Sequence, residues 1–375
     1  MINITSPFTG ALAYALEKAT NPFIKRIFNS RKINSIAVVL LQGIGNNVMF
    51  LPALLALQER FPQARIFIIA KKETIELLAA YKGDKNLSLM EYPANKPILE
   101  RIKFFRSIRK NRFDIVVYGR PNRFMMPSVL CFFLGGYRLL HKYPVGLYEN
   151  CDFLNSASIE FNEGISDVMN NLNLLKPLGI GKAFAVPELK IPGDVEKRIE
   201  KFFIGAKPKK TRVCIHIGCA QQIRIWPLEH FAELTEKLAK KHGCSIVLIG
   251  GIGEAELAKQ YLKKVNVPVI NAACRFSVVE TAEIIKQCSL LITADSGPQH
   301  LAVSVGTPVI SIYGPSSGKI DTQPVGKNDT ILSLRLPCSP CIKWNSYACP
   351  LGTHFCLKGL TPDMVLDAVR KYIEN

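Results

Sequence analysis

The chain has 375 residues, 48% apolar and 21% charged, and its 48 Lys and Arg outnumber 30 Asp and Glu for a formal charge of +18. That length exceeds one ordinary core and sets two domains as the expectation, while the balanced composition excludes a disordered or fibrous chain. A cationic excess of this size suits an anionic partner (nucleic acid, an acidic membrane or a phosphorylated substrate) and equally a well-solvated surface.

The N-terminus, MINITSPFTGALAYALEKATNPFIKRIFNSRK, has an apolar middle but no basic start or clear cleavage site, so it does not read as a secretion signal. A short amphipathic helix followed by Lys25, Arg26, Arg31 and Lys32 suits peripheral attachment to an anionic membrane, and it also suits an ordinary leading helix. The expected location is the cytoplasm, with attachment to the inner face of the plasma membrane. Residues 33–58 carry no charge, but Gln42, Gly43, Gly45, Asn46, Asn47 and Pro52 interrupt them, which a lipid-exposed helix tolerates poorly.

Residues 33–41, INSIAVVLL, read as a buried strand, and a helix is expected over 47–61. Between them, Gly43-Ile44-Gly45-Asn46-Asn47 begins like a dinucleotide fingerprint but lacks the third glycine, so it is a weak match. A strand at 64–70, a helix at 72–82 and a strand at 113–119 follow. Lys96, Arg101, Lys103, Arg106, Arg109, Lys110, Arg112, Arg120 and Arg123 cluster against only Glu100 and Asp114. No zinc-finger spacing, helix-turn-helix pattern or RNA-binding aromatic signature accompanies them, which weighs against nucleic acid. Residues 124–137 are apolar but too short to span and contain Pro127. They read as a buried helix or one touching the membrane surface.

The pattern weakens through 151–164 and resumes with a helix at 166–180. The Pro- and Gly-rich stretch 181–195 reads as a linker. Then strands are expected at 211–218, 244–251, 267–273, 289–295 and 307–315, with helices at 227–243, 254–264, 278–288 and 297–306. Alternation of this kind implies βαβ units and two doubly wound parallel sheets, with ligands outside the strand carboxyl ends and a site in a cleft between the domains. The expected organisation is an extension (1–33), two Rossmann-like domains (34–185 and 186–360) and a final helix (361–375), capped by Thr361 with Pro362 following, that packs back on the first domain.

Three loops in the second half hold candidate chemistry. Asp295, Ser296 and Gly297 end a strand, and a helix starts at Pro298. Its amides and dipole suit phosphate with Asp295 free for sugar hydroxyls, or Ser296 is a plain cap with His300 packed nearby. Gly218, Cys219 and Ala220 follow another strand, and Arg224 either neutralises a diphosphate or is a surface arginine beside a structural Trp226. Glu254 either binds ribose hydroxyls or favours a helix N-terminus.

Together IAVVLLQGIGNNVMFLPALLALQERFPQARI, IHIGCAQQIRIWPLEHFAEL, LIGGIGE and, above all, DSGPQHLAVSVGTPVISIYGPSS resemble glycosyltransferase family 9, the ADP-heptose:lipopolysaccharide heptosyltransferases. The resemblance runs from about Ile36 to the C-terminus. It implies a GT-B architecture and an inverting, metal-independent sugar transfer with no catalytic cofactor. The nucleotide-sugar donor would sit on the second domain and an anionic, lipid-linked acceptor, the inner core of lipopolysaccharide, on the first. By motif position Gly218, Cys219 and Ala220 would meet the diphosphate, with Arg224 where the family usually has lysine. Glu254 would lie near the nucleoside, and Asp295, Ser296, Gly297, Pro298 and His300 would form the sugar and phosphate loop. Gly45, Arg120 and Arg123 would face the acceptor. Transfer of another nucleotide sugar to a different glycan is the alternative.

The family's first loop has Gly-Asp, the Asp being the proposed general base, whereas here the pair is Gly45-Asn46. An amide cannot take the proton of the attacking hydroxyl. Asn46 therefore positions the hydroxyl while water or another group takes the proton, or another carboxylate serves, or the protein binds sugar nucleotides with little turnover. Of 11 cysteines, Cys338, Cys341, Cys349 and Cys356 form C-x2-C-x7-C-x6-C. Four thiolates can complete a tetrahedral structural site for zinc or iron, as in autotransporter heptosyltransferases that this resembles, or they remain reduced thiols or form disulfides.

Overall fold

The computed structural model describes residues 32–81, 86–119, 126–142, 154–206, 208–341 and 348–373. The expected N-terminal amphipathic helix therefore lies outside the described residues. The chain divides into two compact units: one runs to Gln42 and includes Pro52–Asn162 and Asp167–Ala185, and the other holds Gly43–Leu51, Glu163–Ser166 and everything from Val186.

In chain order the first elements are β1 (Ser35–Leu40), α1 (Ile44–Val48), α2 (Leu51–Arg60), β2 (Arg65–Ala70), α3 (Lys72–Leu77), β3 (Leu87–Glu91), α4 (Ile98–Arg109), β4 (Ile115–Tyr118), α5 (Met126–Leu134), β5 (Tyr137–Lys142), β6 (Ala157–Glu160) and α6 (Asp167–Leu174). The strands form one parallel sheet in the order β3-β2-β1-β4-β5-β6. β1 pairs with β2 through Ile36↔Ile66 and with β4 through Ile36↔Ile115, and all six of its residues are buried. A parallel strand covered on both faces reads as a continuous Val/Ile run, which is why the sequence revealed it. Ala37, Val39, Phe67 and Ile69 line one face, where Phe105 and Ile108 of α4 and Cys131 and Leu134 of α5 close over them.

The helix expected over 47–61 starts earlier, at Ile44, and is interrupted at Met49–Phe50. Pro52 falls in the first turn of α2, where its missing N–H costs nothing. β3, β5, β6 and α4 extend the expected alternation. β6 lies within the stretch where the pattern weakened: it is short, half-exposed and at the sheet edge, so one face carries no apolar signal.

The second unit contains α7 (Gly193–Ala206), β7 (Arg212–His216), α8 (Leu228–Lys241), β8 (Ser245–Ile249), α9 (Ala255–Lys264), β9 (Val269–Asn271), α10 (Val278–Lys286), β10 (Leu290–Ala294), α11 (Gly297–Ser304), β11 (Val309–Ile312), β12 (Thr330–Leu332), α12 (Phe355–Lys358) and α13 (Pro362–Ile373). Its strands are parallel in the order β12-β11-β10-β7-β8-β9. Counted within each unit, both sheets have the third-second-first-fourth-fifth-sixth arrangement of dinucleotide-binding folds, so the strand order reverses at β1/β4 and at β7/β10. α7 begins at Gly193, inside the expected linker. Ser277 and Glu280 form a reciprocal capping box at the start of α10.

α13 belongs to the second unit: Val365, Leu366 and Val369 are buried in its core, and Asp363 pairs with Lys237 of α8 at 2.6 Å. Its apolar stripe finds a matching face on α8. Thr361 does cap it, Oγ1 accepting the Met364 N–H at 3.3 Å.

Candidate active site

The carboxyl ends of β7, β8 and β10 converge on a polar network built around a histidine that the sequence motifs did not single out. His216 is the last residue of β7 and is 4% exposed. Its Nε2 lies 3.1 Å from the Glu254 carboxylate, and its Nδ1 lies 3.1 Å from Thr293 Oγ1 and 3.2 Å from Ser296 Oγ. One imidazole thus ties the loop after β8 to the loop after β10. A histidine between Ile215 and Ile217 at the end of a buried Val-Cys-Ile run was the available signal, because both ring nitrogens need partners there.

Glu254 ends a one-turn helix, Ile252–Glu254, and its Oε2 accepts the Gly251 N–H at 2.8 Å. The carboxylate lies over two glycines: a Cβ on Gly218 would collide with Oε1, and one on Gly250 would stand 2.9 Å from Oε2. Burial pushes the Glu254 carboxyl upward, but the His216 hydrogen bond and charge and the Gly251 N–H outweigh it and hold the group below the usual carboxylate range. Glu254 is thus an oriented, ionised acceptor with its side chain 23% exposed.

Asp295 differs from its expected role. It is 3% exposed, and its Oδ2 stands 3.0 Å from Arg224 Nη1 and accepts the Ser316 hydroxyl at 2.5 Å. Gln299, itself buried, donates to Oδ1 at 3.3 Å. The carboxylate is therefore not free for sugar hydroxyls: a charge taken out of water must be paired, and these three groups pair it. Arg224, in the one-turn helix Gln222–Arg224, keeps 24% exposure, and its Nε is buried with no hydrogen-bond partner among the described residues. Cys219 Sγ donates to the Asp295 carbonyl at 3.2 Å, and burial raises its thiol. Trp226 is fully buried and donates Nε1–H to the Leu360 carbonyl at 2.9 Å, the structural tryptophan expected beside Arg224.

The plain-cap reading of Ser296 also fails. Ser296 occupies the N-cap position of α11, but its hydroxyl turns to Thr293 at 2.8 Å and to His216, and makes no capping bond. The first amides of α11 therefore lack a side-chain cap, and Pro298 in the first turn contributes no donor. What remains is the Gly297 N–H with the positive end of the helix dipole, a site suited to an anion.

The glycine-asparagine segment packs with this unit. α1 lies against α11, so closely that a Cβ on Gly45 would stand 2.5 Å from His300 Cδ2 and 3.3 Å from Gly297 Cα. Close helix approach explains Gly45. Asn46 is half-buried and Asn47 buried. His300 is 5% exposed beside Gln299. Gly218, Cys219, Ala220, Arg224, Glu254, Asp295, Ser296, Gly297, Pro298 and His300 thus share one unit with Gly45 and Asn46. Arg120 and Arg123 lie outside the described residues.

The four late cysteines line one pocket of about 230 Å³, walled by Ile223, Leu336 and Phe355. Four backbone N–H groups, from His354 first and then Leu351, Thr353 and Gly352, lower the Cys349 thiol, whereas burial raises Cys341 and Cys356. Among the described residues no group of three or more His, Cys, Asp or Glu is arranged to hold a metal ion as it stands. The donor set suits zinc or iron in kind and number, and ligation would have to draw the sulfurs together.

A pair of doubly wound parallel sheets, one carrying an uncapped helix start, an oriented carboxylate and a half-buried arginine, defines a Rossmann-like α/β protein of GT-B build. Residues 101–350 match the model of glycosyltransferase family 9 (heptosyltransferase), and the chain belongs to that family. It is 30% identical over 155 residues to lipooligosaccharide heptosyltransferase 2 of Campylobacter jejuni, covering 40% of this chain and 47% of that protein, so the match spans about half of that relative's length. It is 26% identical to lipopolysaccharide heptosyltransferase 2 of Escherichia coli K12 over 88% of this chain and 96% of that one. Among solved structures, a family 9 glycosyltransferase from Veillonella parvula superimposes with a TM-score of 0.75 at 19% identity, covering 92% of this chain and 99% of that one. An iron-containing dodecameric glycosyltransferase from enterotoxigenic E. coli gives 0.56 at 16% identity, covering 91% and 76%. These likenesses support the fold.

Proposed function

We propose that this chain is an inverting glycosyltransferase that moves heptose from ADP-heptose to the inner core of lipopolysaccharide, working at the cytoplasmic face of the membrane that holds its acceptor. The observation that carries the reading is Arg224: one guanidinium nitrogen is fixed on buried Asp295, another is buried and unpaired, and the next residues along from Asp295 start an uncapped helix. That arrangement suits a leaving diphosphate, with Gly218, Cys219 and Ala220 supplying backbone close by. The acceptor hydroxyl oxygen bonds the anomeric carbon as the bond to the diphosphate oxygen breaks, and the electron pair leaves on ADP. Arg224 and the Gly297 N–H meet that charge as it develops. Glu254, held ionised by His216, accepts from ribose hydroxyls.

Asn46 cannot receive the hydroxyl proton, so it orients the acceptor while water or another group takes the proton. The Cys338, Cys341, Cys349 and Cys356 group we read as a structural zinc or iron site. Its role would be to hold the loop that contains it, away from the sugar-transfer step.

The test is incubation with ADP-heptose and lipopolysaccharide truncated before its heptoses. Heptosylated product is expected, with no product from UDP- or GDP-sugars. ADP binding without glycosylated product would favour the sugar-nucleotide-binding reading that Asn46 raises. Asn46→Asp is expected to speed transfer by up to about 100-fold and to add an acid limb to the rate profile, since a general base contributes about 10² to 10⁴-fold. An unchanged rate and pH profile would remove this position from proton transfer.

A further inference from the structure

We infer that the outer face of α4, with the exposed end of α5, docks the chain on a bilayer containing anionic phospholipid. The inference rests on the proposed function only for the lipid-linked acceptor that makes such docking useful. α4 is a twelve-residue helix whose inner side, Phe105 and Ile108, is buried in the first unit's core. Its outer side is neither uniformly polar nor neutral. Ile98, Leu99 and Ile102 are 55%, 68% and 42% exposed. One turn further on, Lys103, Arg106, Arg109 and Lys110 are exposed, with no ion pair among the described residues.

Helical spacing puts these groups in two adjacent stripes. Ile98, Ile102 and Arg109 follow at i, i+4 and i+11, and Leu99, Lys103, Arg106 and Lys110 follow at i, i+4, i+7 and i+11. The face is therefore apolar at its N-terminal end and cationic at its C-terminal end. α5 packs against α4 on the same side of the sheet and exposes Phe132 and Phe133 at 48% and 54%. Both helices link strands of one parallel sheet, so they run in the same direction. The phenylalanines thus lie toward the cationic end of α4.

Exposed Ile, Leu and Phe interleaved with unpaired Lys and Arg is the composition of an interfacial helix. Apolar side chains enter the acyl boundary while cations meet lipid phosphates. Other occupants fit less well. A second copy would bring the same cations face to face. A nucleic acid backbone would satisfy the cations but leave the aliphatic and phenyl groups in water.

The experiment uses the full chain and vesicles of phosphatidylcholine with or without phosphatidylglycerol, with no sugar substrate present. Binding is expected to be about tenfold or more tighter to the anionic vesicles and to weaken with salt. Ile98→Ser/Leu99→Ser/Ile102→Ser and, separately, Arg106→Ser/Arg109→Ser/Lys110→Ser are each expected to weaken it about tenfold, with ADP affinity and the thermal transition unchanged. Vesicle binding equal to wild type in both triples would overturn the proposal and place attachment elsewhere in the chain. So would a wild-type chain that ignores anionic vesicles, or variants that keep vesicle binding but lose a water-soluble core oligosaccharide. None of these results depends on transfer, so failure of the docking face and failure of the heptosyltransferase reading are separately visible.

Discussion

At the scale of single residues the site turns on His216. Its two nitrogens serve different partners, so two substitutions separate them. His216→Gln places an amide near Nε2 and can keep a bond to Glu254, whereas His216→Asn mimics Nδ1 and keeps only the Thr293 and Ser296 side. Glu254 sits below the ordinary carboxylate range, so what its ionised form contributes is present above that range and is lost as pH falls through its lower value in the fold. With the His216 bond gone, burial dominates and the carboxyl titrates higher. His216→Asn is therefore expected to weaken ADP binding about tenfold, on the scale of a lost hydrogen bond to a charged group, and to move the acid limb of binding to higher pH. His216→Gln should recover part of both effects, and ADP titrations between about pH 4 and 7 measure them. Identical limbs in all three proteins would sink the role assigned to His216. Much of this neighbourhood was legible: Gly218, Arg224, Glu254 and Ser296 stand out as loop residues at strand ends. The burial of Asp295 was not, because it depends on Ser316, 21 residues later, folding its hydroxyl back onto the carboxylate.

At the scale of elements, central strands were readable and edges were not. β1, β7 and β10 are buried along nearly their whole length, so their Val and Ile runs announce them. β6 and β12 lie at sheet edges with half-exposed residues, and α4 drew attention as a charge cluster before it could be read as a helix. Cys338 and Cys341 lie in a turn, Cys349 in a loop and Cys356 in the short helix α12. Cys356 and Leu357 belong to the second unit's core just before α13 begins. If zinc or iron closes the four sulfurs, protein purified without chelators carries one ion per chain. Chelation or Cys349→Ser should then lower the thermal transition and increase proteolysis around residues 338–356, because site formation and local folding are coupled. Absence of stoichiometric zinc or iron would leave the Cys349 sulfur with backbone N–H groups alone as its partners, which favour its thiolate form.

At the scale of the whole molecule, the chain is two sheets with separate cores: Phe67, Phe105 and Val116 in one, Trp226, Ile292 and Val365 in the other. Gly218, Arg224, Glu254, Asp295 and Gly297, which we assign to the donor, fall in the second unit, as do Gly45 and Asn46. ADP should therefore stabilise that unit first. At a concentration about 100 times its dissociation constant, a ligand bound only by the folded form adds about 2.7 kcal/mol, or roughly a 100-fold slowing of exchange through global opening. Hydrogen exchange with ADP should show increased protection at residues 214–226, 250–256 and 295–301, spreading through β7, β8 and β10. β4 and β5 of the first unit should change far less, because none of the groups assigned to the nucleotide lies there. Protection concentrated in residues 115–142 instead would mean that the nucleotide sits on the first unit. It would also remove the proposed role of Arg224, because an arginine held by Asp295 in the second unit could not then meet the diphosphate.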